Sequence, residues 1–222
     1  EKTTSSYQQK FRILCMALNS NPDYKEWMEI YRKLVYWELE MKKSDSPEMQ
    51  EVFETQKQEA NTEFFKFISK NYASWVSPKS TDGPIMSHTL LKYKVLPHLE
   101  KGTPLFFVLI DNLRFDQWKI IQPKFAESFR IQEEETFYSI LPTATQYARN
   151  AIFAGMLPVD IEKQFPTQWK NDDEEGGKNL HEEEFLRALL KKAGKGDLKV
   201  SYTKITNNHD GQKMVDNMHN FL

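Results

Sequence analysis

Residues 106–118 read FFVLIDNLRFDQW: five apolar residues run into Asp111, and the chain then turns abruptly polar and charged. With Pro104 and Leu105 in front, PLFFVLI is the kind of unbroken apolar run that marks a strand covered on both faces, as in parallel α/β sheets. Ending such a strand on a carboxylate needs a reason. One is that Asp111 caps the helix that follows. The other is that it stands at the carboxyl end of a sheet strand, where ligands gather in open α/β folds, and holds a metal ion.

Outward from this stretch, the pattern alternates. FDQWKIIQPKFAESF predicts a helix that Pro123 ends or kinks, and RIQEEETFYSI a strand with an exposed acidic face. ATQYARNAIFAG predicts a helix stopped by Gly155, residues 182–192 an amphipathic helix, and LKVSYTKI a third strand. This alternation predicts an α/β sandwich. A short helix is expected near 87–96, and the charged segment NDDEEGGKN reads as a loop.

The first third of the chain reads differently. Helices are expected over 7–18, from Asn21-Pro22 through the spaced apolar residues Tyr24, Trp27, Met28, Tyr31, Leu34 and Val35, and from Ser46-Pro47 to about residue 72. The joints NSNPD and KSDSP are short and polar, so an N-terminal three-helix bundle is the economical arrangement. Periodicity stops at SPKSTDGP, which places a boundary between a bundle at 1–78, serving as linker and dimerisation region, and an α/β domain at 79–222.

Composition narrows the function classes. A net charge of −2 gives no global attraction for phosphate backbones, so a polyanion must be held by a local site. No apolar run approaches the ~20 residues of a membrane span, so no membrane insertion is expected. Cys15 is the only cysteine, which excludes an internal disulfide and a Cys-based metal centre and fits the reducing cytoplasm. The chain opens without Met and closes on DNMHNFL, which reads as part of a longer protein.

A second apolar segment ends on LPTATQYARN. Thr143 or Thr145 there can be an ordinary hydroxyl cap of the next helix. The same helix N-terminus, with its positive potential, also suits a phosphate and favours an alkoxide over the alcohol. Asp111 followed by this Pro–Thr–x–Thr turn is a constellation rather than a lone motif. LIDNLRFDQW resembles the first metal-ligand segment of the alkaline phosphatase superfamily. LPTATQYARNAIFAGMLP resembles the nucleophile segment of its phosphodiesterase and PglZ branches. DYKEWMEIYRKLVYWELE and SHTLLKYKVLPHLEKG are similar to the helices around the PglZ domain of PorX-type two-component response regulators of Bacteroidetes.

The resemblance implies the first part of an alkaline-phosphatase-like α/β sandwich behind the bundle. Asp111 and Thr145 would be ligands of zinc, two ions in all, with Thr145 as nucleophile and Thr143 the weaker candidate. Asn112 and Arg149 would meet substrate, although a solvated helix face also accounts for Arg149. Arg114 and Asp116 would fix the loop as an ion pair. The substrate implied is a phosphodiester, an oligonucleotide or a cyclic nucleotide. The partners implied are a sensor kinase acting through a receiver domain, a sigma factor or secretion component in type IX secretion, and a second copy in a homodimer.

No Asp-x-x-x-His or Asp-His pair follows Thr145. His209-Asp210 in NNHDG reads as a turn and helix start, and His88, His98, His181 and His219 stand alone. The remaining ligands are therefore expected beyond Leu222, and this segment alone is expected to be inactive. The rival reading is a non-catalytic signalling module. A sulfatase reading ranks lower, because those enzymes want Cys or Ser where Thr145 stands.

Overall fold

A computed structural model describes residues 2–43 and 46–220, with side chains from residue 6 onward. Nine α-helices carry the described chain: α1 Lys2–Asn19, α2 Tyr24–Met41, α3 Pro47–Trp75, α4 Leu90–Lys94, α5 Phe115–Ala126, α6 Thr145–Ala154, α7 Pro158–Gln164, α8 Glu182–Lys192 and α9 Asn208–Asp216. They belong to two compact units. One comprises Glu1–Pro84 and Ile110–Thr136, the other Ile85–Leu109 and Phe137–Leu222.

In the first unit the three N-terminal helices share one core. Leu14 and Leu18 come from α1, Trp27, Ile30, Trp37 and Met41 from α2, and Phe53 and Ala60 from α3, all buried. Burying each of the larger side chains contributes about 1.5–3 kcal/mol against exposure, which explains why helices of modest intrinsic propensity hold together. Helix α2 does not start as the sequence suggests. Asp23, not Asn21, is the N-cap: its Oδ1 accepts the N–H groups of Lys25 and Glu26 at 2.9 Å, and Glu26 Oε2 accepts the N–H of Asp23 at 2.8 Å. Asn21 instead takes a left-handed backbone, φ 55°, which its short polar side chain tolerates. Ser46-Pro47 does open α3, as expected. Residues 44 and 45 of the joint before it lie outside the described residues.

Residues 110–136 pack with these helices. Phe115, the first residue of α5, meets the Tyr31 ring of α2 at 5.8 Å. Helix α5 runs through Pro123 rather than ending there.

The second unit centres on α6, α7 and α8. Phe153, Ala154, Ile161, Trp169 and Phe185 form its buried core, with Leu109 and Tyr202 packed against it. Gly155 ends α6 as expected, in a left-handed backbone at φ 63°. A Cβ there would lie 2.7 Å from Leu189 Cδ1 of α8, so glycine serves both the turn and the close approach of the two helices.

The expected α/β sandwich is not observed. Among the described residues the only β pairing is an isolated parallel bridge between Met86 and Tyr138. The segments 104–110, 130–140 and 198–205, expected as strands, form no ladder. An apolar run states a preference for burial, but a strand also needs neighbours to accept and donate its backbone hydrogen bonds. Without them the 104–110 run alternates: Phe107 and Leu109 turn toward the second unit's core, while Phe106 is 51 % and Val108 71 % exposed.

No described helix is long and apolar enough to cross a membrane.

Candidate functional site

Asp111 and Asn112 form an exposed turn directly before α5. Asn112 takes φ 58°, the left-handed conformation that Asn accepts more readily than most residues, and this reverses the chain after the apolar run. Arg114 then donates to both oxygens of Asp116, at 3.0 and 3.2 Å, and its N–H reaches Gln117 Oε1 at 3.0 Å. The expected Arg114–Asp116 ion pair is therefore present and fixes the loop. Asp111 is not the cap of α5, because Arg114 holds the N-cap position.

Thr145 is the first residue of α6. The turn before it is anchored by the short 86–138 pairing. The N–H of Ser87 donates to the Tyr138 carbonyl at 3.1 Å, and the N–H of buried Ile140 donates to Ser87 Oγ at 3.0 Å. Leu141-Pro142 is a cis peptide, and Thr143 is exposed behind it. A hydroxyl at this place meets the positive end of α6, where backbone N–H groups favour an anion.

Beneath Thr145 lies a buried polar network. Asn179 Nδ2 donates to the Thr145 carbonyl and to Glu182 Oε1, both at 3.3 Å. Glu182, in the first turn of α8, is only 3 % exposed and also accepts from Arg149 Nε and the Tyr202 hydroxyl. Burial, reinforced by the Glu182 carboxylate, pushes the Tyr202 phenol up from its ordinary value, so it stays a donor. Asn150, 1 % exposed, ties the same face down by donating to the carbonyls of Gln146 and Lys178 at 2.9 and 3.0 Å. Arg149, one turn after Thr145, has its side chain 15 % exposed and donates to the Glu182 carboxylate, so a solvated helix face does not describe it.

Sequence reasoning missed Glu182, Asn179 and Tyr202. Glu182 carried a signal: it falls three and seven residues before Phe185 and Leu189, on the apolar stripe of α8, where an acid is buried unless the helix rotates.

Asp111 belongs to the first unit and Thr145 to the second. Among the described residues no three His, Cys, Asp or Glu side chains gather as a metal site. Zinc takes four ligands in a structural site and three plus water in a catalytic one, so the described donors do not make up a zinc cage. His209-Asp210 opens α9, as its sequence suggests: Asn207 is the N-cap and accepts the Asp210 N–H at 2.9 Å.

Comparison with known families places these features. Residues 90–220 match the BREX system PglZ alkaline phosphatase-like domain, and residues 1–76 match the PorX response regulator linker domain. The first match spans more than half of the chain, and the chain belongs to the PglZ family. With the linker match ahead of it, the two matches together fit a fragment of a PorX-type regulator with its PglZ domain. No curated protein matches the chain.

Proposed function

We propose that this response-regulator output region hydrolyses phosphodiesters, with Thr145 as the nucleophile. The observation that carries the reading is the placement of Thr145 at the first position of α6, inside the PglZ match, with its carbonyl tied into the Asn179–Glu182–Arg149–Tyr202 network. Preorganisation of this sort is what an attacking hydroxyl requires. The Thr145 Oγ would lose its proton and bond to phosphorus as one ester bond breaks and that oxygen leaves, protonated, as an alcohol, so that Thr145 carries the rest of the substrate as a phosphodiester. Water would then cleave the threonine O–P bond, restoring the hydroxyl and releasing a phosphomonoester. Asn112 would contact substrate, and Arg149 would fix α6 to α8.

Zinc is proposed through the family likeness, with Asp111 and Thr145 among the residues that would hold it and donors besides these two required. Oligonucleotides or cyclic nucleotides are the proposed substrates. Control of type IX secretion in the cytoplasm, under a sensor kinase, is the proposed setting.

The linker match at 1–76 favours one alternative, a signalling module that contacts a sigma factor or secretion component, as a homodimer, without catalysis. Assays of the complete protein separate the two. Thr145→Val is expected to lower cleavage of a dinucleotide at least a hundredfold while Thr143→Val retains it. Equal turnover in Thr145→Val and wild type removes Thr145 from the mechanism. Normal signalling from Asp111→Ala favours the contact reading.

A further inference from the structure

The linker helices and the turn that carries Asp111 lie in one compact unit, and the hydrogen bonds joining them converge on a single carboxylate. Glu134 is mostly buried, its side chain 18 % exposed, although the sequence places it on an exposed acidic face. Arg32 of α2 reaches Glu134 Oε1 at 2.5 Å and its carbonyl at 3.3 Å. From α5, Trp118 Nε1 donates to Oε2 at 2.8 Å, and Lys119 Nζ lies 3.1 and 3.2 Å from the two oxygens. Burial raises the Glu134 carboxyl, but the hydrogen bonds from Trp118, Lys119 and Arg32 outweigh it and hold the group below its ordinary value. Arg32 and Lys119 also flank the Phe115 ring, at 5.6 and 5.7 Å from its centroid.

The consequence is mechanical. Phe115 is held by α2, and only residues 112–114 separate it from Asp111. Those three leave little freedom: Asn112 is left-handed, and Arg114 is bound to Asp116 and Gln117.

We propose that Glu134 is a positioning residue, the joint through which α2 of the linker domain sets the place of the Asp111 turn. Asp111 owes its importance to the proposed function, on which the inference rests to that extent; the joint stands on its own contacts. A change in α2, for instance on phosphorylation elsewhere in a regulator, would then reach the phosphatase-like domain through Arg32 and Glu134 rather than through the 77–84 connector alone.

Hydrogen exchange of the 222-residue chain tests this without any activity. Arg32→Met keeps a stem against Phe115 and removes the donors. Glu134→Gln keeps an acceptor for Trp118 and removes the charge. In both variants, amides of 111–119 are expected to exchange about tenfold faster, the equivalent of losing one hydrogen bond to a charged group. Amides in α3 and α6 should be unchanged, and the Trp118 contribution to fluorescence should shift. The double variant should add little to either single change, since both break one joint. Unchanged exchange at 111–119 overturns the proposal, and so does an increase spread evenly over the chain, which would mean a general loss of stability. Loss of the phosphodiesterase reading would leave these exchange outcomes as they are, so the two failures are distinguishable.

Discussion

Glu182 shows what a single side chain can decide. An acid 3 % exposed persists because Arg149, Asn179 and Tyr202 meet its oxygens. Removing one partner of such a pair leaves an uncompensated buried charge, and the cost is set by that charge rather than by the lost contact. Glu182→Ala is therefore expected to destabilise the second unit by about 3 kcal/mol. Urea titration followed through near-ultraviolet signals of Trp169 and Tyr202 checks it. Little or no change in midpoint would mean that Arg149 finds water. At this scale the sequence was legible for Arg114, whose partner Asp116 lies two residues away, and for Gly155. It was not for Glu134, because its partners Arg32, Trp118 and Lys119 stand on two helices, one of them 102 residues distant.

Helices were legible where local signals agree. Helix α8 starts and ends where its amphipathic stripe does, and Ser46-Pro47 opens α3. Two local signals compete at the start of α2. Asn21-Pro22 suits an N-cap and first residue, but Asp23 with Glu26 three residues on makes a reciprocal cap, and that satisfies three backbone donors, those of Asp23, Lys25 and Glu26. Asp23→Ala should cost about 1 kcal/mol, read as a lower thermal midpoint of the bundle, whereas Asn21→Ala should cost through backbone strain instead of a lost cap. Helix α7 was missed, although Pro158 at its first turn is a start signal. The expected strands do not appear among the described residues, for a different reason. Helical hydrogen bonds close within the segment, so a helix can be read from its own residues; a strand's partners lie elsewhere, and among the described residues 104–110, 130–140 and 198–205 form no ladder beyond the isolated Met86–Tyr138 bridge.

Across the whole molecule, the resemblance carried by LIDNLRFDQW and LPTATQYARN agrees with the family match at 90–220, and that of DYKEWMEIYRKLVYWELE with the linker match at 1–76. The grouping of 110–136 with the linker helices was not legible, since it rests on Arg32, Tyr31 and Phe115 meeting in space. The central claim is that Thr145 attacks phosphorus. Its most direct test is to quench the complete protein in acid during turnover of a dinucleotide and map the covalently bound nucleotide by peptide mass spectrometry. A nucleoside monophosphate joined through phosphorus to the Thr145 Oγ is expected, and none in Thr145→Val. Turnover with the nucleotide on Thr143, or with no nucleotide-bearing threonine under conditions that trap such an intermediate in a known phosphodiesterase, would contradict it.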